Sequence, residues 1–158
     1  MKVFSSAKLD ATSKKITLFI FVIFTLLIFA GFLSYQINLF ILPILVSVVL
    51  ISYFFMPQSY SVDNECITIN FIFFKKKIQR SKVVEIKNIP KDELKNSIRT
   101  FAIGGLFGYN GKFYNSKLGN MIWFVTNTQK MVIIQLSDKK YIISPEEKDY
   151  FLNFLKTS

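Results

Sequence analysis

The side chains in this chain best placed to do chemistry are cations. Lys75-Lys76-Lys77, with Arg80 and Lys82, put five positive groups within eight residues. Such a run can hold an anion: a phosphate ester, a lipid headgroup or an acidic segment of a protein. A second pair, Arg99 and Lys112, brackets the stretch Gly104-Gly105-Leu106-Phe107-Gly108-Tyr109-Asn110-Gly111. Its glycines lack the GxxxxGK[ST] order of a phosphate cradle and also fail GxGxxG. Read functionally, the stretch is a loop presenting Leu106, Phe107, Tyr109, Phe113 and Tyr114 to a bilayer surface or a partner, with Arg99 and Lys112 beside them. Read structurally, it is a strand connection with its aromatics tucked under. Both readings stay open.

Nucleophilic and acid–base chemistry has little to stand on. The chain has no histidine, which removes His-based dyads, triads and metal sites. Its single cysteine, Cys66, cannot build a thiolate metal site or an internal disulfide. The acid pairs Asp92-Glu93 and Glu146-Glu147 have local explanations. We therefore expect no catalytic residue, no cofactor and no metal. Nucleic-acid binding wants aromatics interleaved with cations on an exposed face. Phe71 and Phe73 precede the lysines, but alternation puts both on one face, most simply the core, so no nucleic-acid partner is expected.

The elements that position the cations begin in an unusual run. The 47 residues from Ile16 to Val62 carry no charge. A helix needs ~20 apolar residues to cross a hydrocarbon core, and the run holds two such stretches, Ile16 to Leu33 and Leu39 to Met56. The break between them, Ser34-Tyr35-Gln36 and Ile37-Asn38, is short enough to force the helices antiparallel. Asn38 is placed to cap the second helix, Pro43 falls near its start, and Tyr35 and Tyr53 to Phe55 sit where interfacial aromatics belong. A signal peptide fits less well, because a second apolar stretch follows at once. A buried soluble hairpin fits less well too, because nearly every face is apolar. Neither stretch contains a charge that would mark a transport path.

Orientation follows from charge. Lys2, Lys8, Lys14 and Lys15 precede the first helix against one acid, Asp10, and the basic run follows the second. Basic flanks stay on the cytoplasmic side. The expectation is a multi-pass protein with both termini cytoplasmic, divided into a basic N-terminus (1–15), a transmembrane helical hairpin (16–56) and a cytoplasmic domain (57–158).

In that domain the pattern changes from continuous to alternating. Ser59 to Val62, Cys66 to Phe71, Phe74 to Arg80 and Val83 to Ile89 read as strands. Lys91 to Gly111 reads as irregular. Met121 to Val125, Met131 to Leu136 and Lys140 to Ile143 complete seven. Ser144-Pro145-Glu146-Glu147 has the order of a capping box, and Tyr150, Phe151, Phe154 and Leu155 recur on one helical face.

Seven short strands followed by one amphipathic helix, with Tyr60-Ser61-Val62, Ile67-Thr68-Ile69, the stretch Arg99 to Gly111 and Ile142-Ile143-Ser144-Pro145, resemble the bacterial membrane proteins that join a two-helix hairpin to a pleckstrin-homology (PH)-like domain. The resemblance implies an α+β chain: a PH-like β-barrel or sandwich with a C-terminal capping helix, addressed to the bacterial inner membrane. It implies no settled reaction, since fold does not fix function.

Net charge is +10, of which residues 1–15 contribute +3 and residues 63–158 contribute +7. A domain held at an anionic leaflet gains ~1 kcal/mol per nearby cation, fading within a Debye length. PH domains that bind phosphoinositides usually carry basic residues in the loop between their first two strands. Here that turn holds Asp63 and Glu65, which argues against a headgroup pocket there. The basic run then reads as a solvated strand, as loose electrostatic docking, or as a specific lipid pocket. The expected function is a non-catalytic, membrane-anchored binding module that contacts a protein partner or the membrane surface through Lys75, Lys76, Lys77, Arg80, Arg99, Leu106, Phe107, Tyr109 and Lys112. An accessory subunit of a larger membrane complex and a phospholipid-headgroup binder are the alternatives. The sequence sets no oligomeric state.

Overall fold

The computed structural model describes residues 1–33 and 41–157. The polar break, with Tyr35 and the expected cap Asn38, lies outside the described residues, as do Leu39 and Phe40.

The chain opens with a strand, β1 (Lys2–Ser5), followed by α1 (Ala11–Leu33) and α2 (Ile41–Phe54). Then come β2 (Ser59–Val62), β3 (Cys66–Asn70), β4 (Lys75–Gln79), β5 (Val83–Asn88), β6 (Ile98–Gly104), β7 (Tyr109–Asn115), β8 (Gly119–Val125), β9 (Val132–Leu136), β10 (Lys140–Ile143) and α3 (Lys148–Thr157).

Helix α1 begins five residues before its apolar run because Asp10 caps it. The Asp10 carboxylate accepts the Ser13 backbone N–H at 2.8 Å. Its segment Ala11–Gly31 is long and apolar enough to cross a membrane. The 14 residues of α2 are apolar but reach only about 21 Å, short of a ~30 Å hydrocarbon core. Among the described residues, then, one helix rather than two has the length of a span. Three hydroxyls within the apolar parts of the helices are satisfied locally, each donating to the carbonyl four residues back: Thr25 to Phe21 at 2.9 Å, Ser47 to Pro43 at 2.7 Å and Ser52 to Val48 at 2.7 Å.

The strands form two sheets, ordered β1-β2-β3-β4 and β5-β9-β10-β8-β7-β6. Strand β1 pairs antiparallel with β2, from Lys2 opposite Val62 to Ser5 opposite Ser59. The strand before the helices and the strand after them are therefore hydrogen-bonded neighbours. Strands β8 and β10 pair in parallel.

Alternation along the strands builds the core between the sheets. Phe4, Tyr60, Val62, Ile67, Ile69, Phe71 and Ile78 meet Val132, Ile134, Tyr141 and Ile143, and Phe151 of α3 closes the end. Tyr60 carries a hydroxyl into this core, where it donates to the Phe124 carbonyl at 3.0 Å and accepts the Ser144 N–H at 3.2 Å. On the other face of the six-stranded sheet, Ile89, Leu94, Met121, Val125, Met131 and Ile133 surround a stacked pair, Phe113 and Trp123, with ring centroids 4.2 Å apart.

The described residues contain ten strands where seven were expected. The additions are β1, β6 and β7. Residues 98–115, read as partly irregular, form an antiparallel pair bent by a bulge between Arg99 and Phe101. The glycines that disguised it are used for close approach: a Cβ on Gly111 would lie 2.5 Å from the Ala102 Cα. Helix α3 starts at Lys148 rather than after Ser144, because tertiary contacts claim the capping side chain. The buried Ser144 hydroxyl accepts the Thr126 N–H at 2.8 Å, and the first turn of α3 is closed by the Glu147 carbonyl, which accepts the Phe151 N–H at 2.9 Å.

Candidate binding surfaces

Strand β4 is an edge of the first sheet, and it exposes Lys75, Lys76 and Lys77. Alternation separates them. Lys75 and Lys77 stand on one face opposite Asn70 and Thr68, while Lys76 stands on the face of Ile78, opposite Ile69. Between this edge and the β9–β10 turn runs an open groove of about 370 Å³, lined in part by Lys76, Lys77, Lys82, Lys139 and Asp138.

Arg80 does a different job. Its guanidinium donates to the Asp63 carbonyl at 3.1 Å and its N–H donates to the Glu65 carbonyl at 2.8 Å. The Asp63 carboxylate accepts the N–H groups of Cys66 at 2.6 Å and Glu65 at 2.9 Å, and those bonds hold its pKa below the ordinary value. The acidic turn and Arg80 thus form one self-satisfied unit.

The glycine stretch is the seam between the sheets and the helices. Leu106 and Tyr109 are buried. The Phe107 ring packs against Phe21 of α1 at 6.4 Å and Tyr53 of α2 at 5.4 Å. Gly105 has φ of +99° and leaves no room for a side chain, since a Cβ there would lie 2.6 Å from the Ile16 Cδ1. The Thr17 hydroxyl donates to the Gly105 carbonyl at 3.4 Å and accepts the Phe107 N–H at 3.3 Å. Arg99 folds back over Gly104, whose Cβ would meet the guanidinium at 2.6 Å. Arg99 and Lys112 are both exposed. The structure therefore does not bring the nine expected binding residues onto one surface: the lysines line one sheet edge, Arg99 and Lys112 flank another, and Leu106 and Tyr109 are interior.

Three features had no place in the sequence reading. The first is Asp10. Besides capping α1, its carboxylate accepts the Thr128 N–H at 3.1 Å and hydroxyl at 2.8 Å, and its own N–H donates to the Thr126 carbonyl at 3.2 Å. Burial acts to raise its pKa, but the bonds from Ser13 and Thr128 outweigh it and hold the pKa below the ordinary value. The only local signal was an acid three residues before a serine at the edge of an apolar run.

The second is an aromatic bridge from the end of α2 into the core. Phe54 meets Phe73 at 4.7 Å and Phe55 meets Phe74 at 5.3 Å; Phe74 stacks on Phe71 at 4.3 Å, and Phe71 meets Phe124 at 5.2 Å. Phe73, expected in the core with Phe71, is 73% exposed, because the chain turns between β3 and β4 and the alternation ends at Phe71.

The third is the β6 edge. Phe101 is 82% exposed and Ile98 is 65% exposed. Ile98 pairs with the exposed Tyr114 and Phe101 with Lys112, so all four side chains share one face of the second sheet. A groove of about 340 Å³ continues along that face past Lys112, Asn120, Ile122, Lys139 and Lys140. Among the described residues, no group of three or more His, Cys, Asp or Glu gathers as metal ligands would.

The family model of the bacterial PH domain matches residues 58–158. Neither the curated proteins nor the solved structures yield a match to the chain. The matched residues begin one position before β2, so β1 and the two helices lie outside them. With well over half of its length matched, and with two sheets packed as a sandwich and closed by a C-terminal helix, the chain belongs to the bacterial PH domain family.

Proposed function

We propose that this chain is a non-catalytic, membrane-anchored binding module that takes a protein partner on the β6 edge of its PH-like domain. The observation that carries the reading is that edge. Among the described residues, strand β6 ends the six-stranded sheet with no strand on its outer side, and it holds Ile98 and Phe101 exposed beside Tyr114 and Lys112 of β7. An open edge with exposed apolar side chains is a template for another strand. The cations of the adjoining groove favour a partner segment that alternates apolar and acidic residues.

The anchor is the pair of apolar helices. Since β1 and β2 are hydrogen-bonded across the helices, residues 5 and 59 lie on one side of any membrane the helices enter. That bracket supports a hairpin of two crossings even though the described part of α2 is short. Lys8, Lys14 and Lys15 at the base of α1 favour the cytoplasmic side for the domain, and hence both termini, at a bacterial inner membrane.

The test is affinity capture of the full-length protein in mild detergent, comparing wild type with Phe101→Glu. The reading expects a stoichiometric protein partner that the substitution removes while the unfolding midpoint stays put. It fails if the same partner co-purifies with both forms. The phospholipid-headgroup alternative draws on the exposed Lys75 to Lys77 and expects anionic lipid to be retained instead, with loss in Lys75/Lys76/Lys77→Glu.

A further inference from the structure

The β3–β4 turn is the most apolar exposed turn of the domain, and its position says what covers it. Ile72, Phe73 and Phe74 are 38%, 73% and 39% exposed. None of them belongs to the buried core of the sandwich, which takes in Phe71, although Phe74 stacks on Phe71 from outside. Three consecutive apolar residues at a turn tip, followed at once by Lys75-Lys76-Lys77, run against the usual chemistry of turns, which favours Gly, Pro, Asn, Asp and Ser. The tip does not point at random. Its two phenylalanines meet the end of α2 and the residue that follows it, Phe73 against Phe54 and Phe74 against Phe55. Helix α2 itself exposes Ile44, Val48 and Ile51 along its length and Tyr53 in its last turn, and Phe55 just beyond it is exposed as well. The exposed apolar surface is therefore continuous from the helix onto the tip, and whatever medium covers the first must cover the second.

We propose that residues 72–74 are immersed in the bilayer at the level of its headgroup boundary, so that the PH-like domain rests on the membrane instead of hanging from it. The inference rests on the reading of the helices as a membrane anchor. It commits to lipid as the occupant, because a bilayer that surrounds α2 already reaches Phe54 and Phe55, and a protein partner would have to displace it. Aromatic rings favour that depth, and Lys75 follows within reach of lipid phosphates, its aliphatic stem lying along the apolar tip.

The same contact ranks the basic run by depth. Strand β4 leads away from the tip, and at ~3.3 Å per residue Arg80 lies up to about 16 Å beyond Lys75, roughly two Debye lengths at physiological salt. Lys75 becomes the headgroup contact. The groove of Lys76, Lys77, Lys82 and Lys139 is left increasingly to the aqueous side.

The test uses the full-length protein in phosphatidylcholine vesicles whose acyl chains carry bromine near the headgroup end, a short-range quencher of tryptophan. The single native tryptophan, Trp123, is buried in the second core. In a Trp123→Phe background, Phe73→Trp is compared with Val84→Trp on the exposed β5 surface and with Leu27→Trp on the apolar face of α1. The expected result is loss of emission for Phe73→Trp and Leu27→Trp but not for Val84→Trp, with Phe73→Trp shielded from aqueous iodide. If Leu27→Trp is quenched while Phe73→Trp behaves like Val84→Trp and is reached by iodide, the immersed tip is refuted and the membrane anchor stands. If Phe73→Trp escapes both quenchers, a protein covers the tip and the proposal is again overturned. If neither Leu27→Trp nor Phe73→Trp is quenched, the anchor reading falls as well.

Discussion

Replacing Asp10 should uncouple the helices from the domain, and the size of the effect follows from its bonds. The carboxylate accepts three hydrogen bonds, from Ser13 N–H, Thr128 N–H and the Thr128 hydroxyl. Loss of an N-cap costs about 1 kcal/mol. Leaving the buried Thr128 donors without an acceptor adds about 1–3 kcal/mol. Asp10→Ala is therefore expected to lower the unfolding free energy by about 2–4 kcal/mol. Asp10→Asn, which keeps one acceptor oxygen and loses the charge, should cost less. The pH dependence has a definite sign. The folded pKa lies below the ordinary 3.8, so the charge-dependent stabilisation is complete above that value and is lost as pH falls through the folded pKa. The gap between wild type and Asp10→Asn should accordingly hold constant from neutral pH down to about pH 5 and close in stronger acid. Equilibrium unfolding of the full-length protein in detergent micelles, followed by the emission of buried Trp123, reads both effects. A change under about 0.5 kcal/mol for Asp10→Ala, the level of an ordinary surface substitution, would refute the reasoning. So would a gap that widens in acid.

Two further substitutions probe the same junction. Phe4 of β1 sits edge-on to Phe151 with centroids 5.0 Å apart, so Phe4→Ala should cost about 3–5 kcal/mol in the same unfolding assay, although residue 4 lies outside the matched family residues. Gly108 has φ of +123°, and a Cβ there would lie 2.6 Å from the Val125 carbonyl oxygen; Gly108→Ala should destabilise by more than the roughly 1 kcal/mol that such a swap changes at a permissive site and should raise protease cleavage near residue 108.

Strands β2 and β10 were legible in the sequence to the residue, because each is bounded by a turn and packs inward in a simple local pattern. Strand β1 was not. Its four residues carry one inward anchor, Phe4, and its partner β2 is separated from it by both helices, so no local signal marks it. Strand β6 escaped for the opposite reason: its residues 98–101 are all exposed, so burial imprints no alternation on them. The capping-box pattern at Ser144 was chemically sound, but a hydroxyl that can cap a helix can equally accept Thr126 N–H, and the buried tertiary bond won. Among the site residues, charge was legible and geometry was not. The cations were found by type, whereas the diversion of Arg80 to a turn and the burial of Leu106 and Tyr109 depend on which face each strand turns inward.

The central claim is that two paired strands of a PH-like domain bracket a membrane hairpin. Cysteine labelling from one side of sealed inverted membrane vesicles tests it most directly. In a Cys66→Ser background, single cysteines replace Val3 before the helices, Asn64 after them and Gln36 between them. The account expects an impermeant maleimide to label Val3→Cys and Asn64→Cys from the cytoplasmic face, and Gln36→Cys only when the vesicles are opened. Labelling of Val3→Cys and Asn64→Cys from opposite faces, or of all three from the same face, would contradict it.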